Sequence, residues 1–248
     1  MVASVLLLAG WQVVWSDEFA YSGLPDPKKW TYEVGFVRNK ELQYYTVGDS
    51  KNARVENGNL VIECRKDPAM GNPISSASLI TLGKASWLYG RIEVRAKVPA
   101  GLGSWPAIWM MGTDRSKVGW PKCGEIDIME FVGHNPDKVH ATVHFPSSDP
   151  SKRNASKGGN LTTLNPWGDF HVYSLEWFPD RLDFYYDDRK YFSVKNDGLE
   201  TQGFRFDKPC YLLINLAFGG TWGAQKGVDE SILPIRYLVD YVRVFRRK

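Results

Sequence analysis

Three carboxylates, Glu125, Asp127 and Glu130, stand within six residues of otherwise apolar, strand-forming sequence, GEIDIMEF at positions 124–131. Carboxylates are among the residues least often buried, and crowding them raises the pKa of at least one, so an acid and a base can share a site near neutral pH. Cleavage of a glycosidic bond requires such a pair. The alternative, solvated acids on the polar face of an edge strand, sits poorly with Ile126, Ile128, Met129 and Phe131 around them. A catalytic metal held by the same acids and a histidine lacks a recognisable ligand spacing.

Strand periodicity tests the pattern. Side chains alternate with period two, so Glu125 and Asp127 share a face while Glu130 should point the other way. One extra residue repairs this: a β-bulge near Ile128 or Met129 returns Glu130 to the face of its companions, and bulges are over-represented beside active sites. On a flat strand the two glutamate Cα atoms would stand about 13 Å apart, whereas a retaining glycosidase holds its carboxyl groups about 5–5.5 Å apart. The strand is therefore expected to curve, with the acids on its concave side.

The segment KVHATVHF at 138–145 follows through VGHNPDK, whose Asn135-Pro136 marks a turn. An antiparallel hairpin centred there pairs residues whose numbers sum to about 271 and sets Asp127 opposite His144. A histidine there can hydrogen-bond the carboxylate or a sugar hydroxyl; a purely structural histidine is the alternative. Upstream, GSWPAIWMM carries Trp105 and Trp109 on one face if extended, while Pro106 argues for an edge or irregular start. Aromatic faces suit the C–H faces of sugars, so this pair reads as a binding wall. Asn39 and Glu41, in VRNKELQYYT, read by themselves as part of a polar loop.

The elements that must hold these residues are strands. RIEVRAKV at 91–98 alternates wet and dry, and NLVIECR, HVYSLEWF, RLDFYYD, RKYFSV, YLLINLAF and YLVDYVRVF also read as strands. Helical periodicity is confined to one short turn in VDESIL at 228–233, and stretches 67–77 and 147–166 read as surface loops. The expected fold is all-β, a jelly-roll β-sandwich of two curved antiparallel sheets with a concave cleft, formed by residues 11–248 as one catalytic domain.

Thirty-one basic against 28 acidic residues leave a net charge of +3, too small and too interleaved for a nucleic acid or an anionic membrane as partner. Three cysteines without CxxC spacing argue against a zinc site or a disulfide-dense scaffold and leave one bridge open. Residues 1–10, MVASVLLLAG, are too short to span a bilayer, which takes roughly 20 residues. They fit either the remainder of a trimmed signal peptide or a first strand with added residues ahead of it.

WSDEF at 15–19, NKELQYYT at 39–46, YGRIEVRAKVPAGLGSWPAIWMM at 89–111, GEIDIMEF and LVDYVRVF at 238–245 together resemble bacterial endo-β-1,3-glucanases (laminarinases) of glycoside hydrolase family 16. The resemblance covers nearly the whole chain. It implies Glu125 as nucleophile, Glu130 as acid/base and Asp127 as the acid that modulates them. It further implies Trp105 and Trp109 at the sugar subsites, with Asn39, Arg91 and His144 contacting substrate or holding the acids. A structural Ca²⁺ away from the cleft is implied too, on backbone oxygens near Glu18 and Gly58 and the carboxylate of Asp240.

The reaction so implied is retaining, internal hydrolysis of β-1,3-glucan, with mixed β-1,3/1,4-glucan open as a substrate and no catalytic cofactor. A galactan-cleaving enzyme of agarase or carrageenase type, or a non-catalytic glucan-binding lectin on the same fold, are the competing readings. A soluble, secreted monomer is expected, because a polymeric glucan cannot enter a cell.

Overall fold

The computed structural model describes residues 10–67, 73–198 and 204–248. Residues 1–9 of the N-terminal segment, and 68–72 of the first expected loop, lie outside the described residues. In chain order the first strands are β1 (Trp11–Asp17), β2 (Thr31–Glu33), β3 (Tyr44–Tyr45), β4 (Ala53–Glu56), β5 (Asn59–Lys66), β6 (Ile74–Ser76) and β7 (Ser78–Ile80). There follow β8 (Gly90–Lys97), β9 (Ser104–Gly112), β10 (Glu125–Glu130), β11 (Lys138–Pro146) and β12 (Asn154–Thr162). The chain closes with β13 (His171–Trp177), β14 (Arg181–Tyr186), β15 (Arg189–Lys195), β16 (Cys210–Phe218) and β17 (Ile235–Arg247).

These strands form two sheets. A seven-stranded sheet runs β12-β11-β10-β9-β16-β7-β2, so the acidic strand β10 is interior to it. A ten-stranded sheet runs β15-β14-β13-β8-β17-β5-β6-β3, with β1 on β17 and β4 on β5. Period two explains how they stack: alternate residues of β9, β10 and β16, among them Ile108, Ile126 and Ile214, meet Ile92 and Val94 of β8 and Val242 and Val244 of β17 in one apolar core. Each such side chain contributes about 1.5–3 kcal/mol on burial. The other face of the seven-stranded sheet has its own small apolar floor, which includes Ala107, Trp109, Met111, Tyr211 and Leu213.

Three expectations are corrected. The stretch 67–77 contains β6, Ile74–Ser76, which pairs with β5 and β3. The stretch 147–166 contains β12, which pairs with β11 from Lys138↔Thr162 to Pro146↔Asn154; with Gly158 and Gly159 in it and one side open to solvent, it carries no apolar period to betray it. Pro106 does not start an edge strand. It is the third residue of β9, between β10 and β16, where its carbonyl accepts from the Phe131 amide at 3.3 Å. The expected turn in 228–233 is a 3₁₀ turn at Glu230–Ile232, and one-turn helices α1 (Arg115–Val118) and α2 (Gly220–Gly223) lie beside the cleft sheet. Cys64, Cys123 and Cys210 are buried and free.

Candidate active site

A single inserted residue builds the site. Against β9, Asp127 faces Trp109 and Met129 faces Ile108; against β11, Asp127 faces Thr142 and Glu130 faces His140. The consecutive residues Ile128 and Met129 both point into the core, fully buried, so Glu130 returns to the face of Glu125 and Asp127. The bulge lies where the alternation of the sequence demands it.

The hairpin register differs by two from the expectation. Glu125, not Asp127, stands opposite His144: the turn, closed by the Asn135 amide donating to Val132 O at 2.9 Å, shifts the pairing by one, and the bulge between Asp127 and Glu130 by one more. His144 nonetheless reaches both acids: its Nε2 is 3.3 Å from Asp127 Oδ2 and 3.9 Å from Glu125 Oε1.

Together the three acids, Trp105, Trp109 and Asn39 line one cavity of about 310 Å³. Trp105 donates from Nε1 to Glu130 Oε1 at 3.1 Å. Trp109 Nε1 donates to Asn215 Oδ1 (2.8 Å), Asn215 Nδ2 to Tyr45 Oη (2.9 Å), and Tyr45 Oη to Glu41 Oε2 (3.2 Å). Glu41 also accepts from Asn39 Nδ2 at 3.3 Å. A buried relay thus ties the tryptophan wall to the NKELQYYT loop, which explains why polar residues recur there. The Arg38 guanidinium, ion-paired with Glu33, packs 4.7 Å from the Trp109 ring centre and itself lines the cleft.

Electrostatics divide the acids. Burial first, then the charge of Asp127, push Glu125 up to about 8, while His144 and Arg38 act in the opposite sense. Burial raises Asp127 to about 8 as well. Burial first, then the charge of Asp127, hold Glu130 well above the ordinary glutamate range, with the Trp105 bond as the main opposing influence. Three ionised carboxylates cannot coexist here near neutrality, and the group titrates as a unit. Arg38 and His144 favour the charged form of Glu125, and the Trp105 indole favours that of Glu130. The arrangement supplies an acid and a base on one face of one strand.

Arg91 is not at the cleft. It lies on the ten-stranded sheet, bonded through Nε and Nη2 to Glu93 (3.0 and 2.8 Å) and through Nη1 to Glu176 (3.0 Å). The alternation of RIEVRAKV that buries Ile92 turns Arg91 to the opposite, outer face, away from the acids.

Asp240 is the extra residue of a bulge in β17 against β8. Val242 pairs with Asp17, the neighbour of Glu18, and Val239 pairs with Leu60, two residues past Gly58, so β1 and β5 meet β17 on the edge opposite β8 and both leave it at the gap beside Asp240. The carboxylate of Asp240 accepts from Arg95 Nη1 at 2.6 Å, and that of Glu18 accepts from Arg243 at 3.0 and 2.8 Å.

Arg38, Trp120, Arg153 and Asn215 also line the cleft and escaped the sequence reading. The first three sit outside any periodic run. Asn215 left one signal, a lone amide within the apolar strand YLLINLAF.

Residues 40–243 match the family model described as "Glycosyl hydrolases family 16". The chain is 49% identical over 246 residues to a β-glucanase of Rhodothermus marinus, covering 95% of this chain and 85% of that protein. It superposes on the X-ray structure of the laminarinase from Rhodothermus marinus with a TM-score of 0.89 at 46% identity, covering 96% of this chain and 98% of that one. It superposes equally on a mutant of SCLam, described as a non-specific endo-β-1,3(4)-glucanase and co-crystallised with an oligosaccharide, with a TM-score of 0.87 at 45% identity over 96% and 95% of the two chains. Since the acidic strand, its bulge and the tryptophan wall all fall inside the matched region, this chain belongs to glycosyl hydrolase family 16 and is a glycosidase.

Proposed function

We propose that the protein is an endo-acting, retaining β-1,3-glucanase that opens laminarin-type glucans and also accepts mixed β-1,3/1,4-glucan. One observation carries this reading: the bulge sets Glu125 and Glu130 on one face of β10, where burial and the charge of Asp127 raise both above the ordinary glutamate range. Ionised Glu125 attacks the anomeric carbon while Glu130 protonates the departing oxygen, and Glu130 then activates the water that releases the glycosyl-enzyme. Asp127 and His144 keep the protonation of the pair apart. Trp105 and Trp109 offer ring faces to the sugars, and Asn39 offers its amide. In Glu125→Gln, laminarin hydrolysis is expected to vanish while laminarin binding stays; retained turnover contradicts the assignment. Early mid-sized products in digests establish internal cleavage, whereas glucose alone indicates an exo enzyme.

A second reading is cleavage of a galactan; the cleft lining sets Arg38, Arg115 and Arg153 against Glu41, Glu125, Asp127 and Glu130, so it is no more basic than the chain as a whole and gives an anionic polymer no net attraction. Rates on laminarin against carrageenan and agar separate the two.

The gap beside Asp240, where the chain segments of Glu18 and Gly58 meet β17, suits one structural Ca²⁺, with the Arg95 ion pair as the competitor for its carboxylate. No step of catalysis runs through it. Melting with and without CaCl₂ is expected to show a rise that Asp240→Ala removes. Secretion and a monomeric state belong to the same proposal, and size-exclusion chromatography tests the latter.

A further inference from the structure

Glu125, Asp127 and His144 each present a ligand atom, and these atoms lie within 4.8 Å of one another. A tetrahedral zinc ion with bonds of about 2.0–2.1 Å separates its nitrogen and oxygen ligands by roughly 3.3 Å along each edge. His144 Nε2 and Asp127 Oδ2 already stand 3.3 Å apart, and Glu125 Oε1 is 3.9 Å from the same nitrogen. A small side-chain adjustment by Glu125 closes the triangle.

A separate feature makes the site receptive to a cation. Asp127 is 3% exposed, yet its Oδ2 receives no hydrogen bond from the described residues; the contact with His144 Nε2 lies off hydrogen-bond geometry. Buried carboxylate oxygens rarely go without a donor. His144 Nδ1 also lacks a partner.

We propose that Glu125, Asp127 and His144 form a binding site for a divalent transition metal of the zinc class, whose occupation switches hydrolysis off by engaging the nucleophile. Two carboxylates and an imidazole match a three-ligand zinc site with water in the fourth position. Ca²⁺ and Mg²⁺ seek six or more oxygens, which these residues do not supply. The inhibition rests on Glu125 being the nucleophile; the metal site does not.

Isothermal titration of the intact protein with ZnCl₂ tests the site. One zinc per chain is expected, with affinity at least tenfold weaker in His144→Gln and in Asp127→Asn, and unchanged in His140→Gln, which alters the other cleft-facing histidine of β11. Cobalt(II) bound to the wild type should show the intense visible bands of tetrahedral coordination, a readout that needs no variant. Affinity unchanged in both ligand variants, or cobalt spectra without those bands, overturns the site. In rate measurements zinc is expected to raise the apparent KM for laminarin, with reversal by EDTA. Zinc that binds at these residues and leaves laminarin hydrolysis untouched overturns the switch and the role of Glu125, while the metal site stands.

Discussion

Replacing Trp105 with Phe keeps an aromatic face in the cleft and deletes one donor, the indole N–H that reaches Glu130 Oε1 at 3.1 Å. Among the influences on Glu130, this bond is the strongest that favours the charged form. A hydrogen bond to an ionised carboxylate contributes about 1.5–3 kcal/mol and one to a neutral acid about 0.5–1.5 kcal/mol. The difference, about 1–1.5 kcal/mol, corresponds to about one pKa unit. Loss of the donor therefore raises the pKa of Glu130. Because Glu130 acts first as an acid, the alkaline limb of kcat/KM follows its protonation in the free enzyme. Trp105→Phe is expected to move that limb about one unit to higher pH, and to slow release of the glycosyl-enzyme at low pH, where Glu130 must ionise to act as base. The limb reports an apparent value for the whole acidic group, but only one member loses a donor, so the direction is unaffected. Initial rates on laminarin over a range of pH measure it. A limb that stays in place, or moves toward acid, refutes the assignment of Glu130 and the effect of the indole on it.

Two further outcomes follow from the same geometry. The folded-state pKa of Glu125, about 8, lies above that of an exposed glutamate, so the native state holds a proton that the unfolded chain has released, and stability falls as pH rises between those values. Glu125→Gln is therefore expected to exceed the wild type in stability by roughly 4 kcal/mol at pH near 8, a gain of roughly 8–16 °C in Tm that shrinks toward about pH 5; a constant gap across pH contradicts the burial of this acid. Asn215 joins the Trp109 indole to Tyr45. Asn215→Leu strands that buried N–H at a cost of about 1–3 kcal/mol and loosens the wall, so urea melts should show the loss and KM for laminarin should rise more than kcat falls.

Much of the site was legible along the chain because alternation is a local property. Glu125, Asp127 and Glu130 could share a face only with one residue inserted, and Ile128 and Met129 are found side by side in the core. Trp105 and Trp109, four apart, share the cleft face for the same reason. Arg91, which the resemblance and not alternation set beside the substrate, alternates as regularly as the tryptophans but belongs to the other sheet. Periodicity says which residues lie together on a strand face and nothing about which sheet the strand joins.

By itself, then, the order of side chains determined the strands, the bulge and the set of acids, since these depend on backbone geometry over a few residues. Only the tertiary structure decided that Arg38, Trp120, Arg153 and Asn215 meet those acids, that His144 stands across from Glu125, and that β12 covers the edge beside β11. Those contacts join residues distant in the chain, and they are selected by how two apolar faces stack and how turns close. Hydrophobic burial is non-directional, so no short pattern in the sequence encodes which partners it brings together.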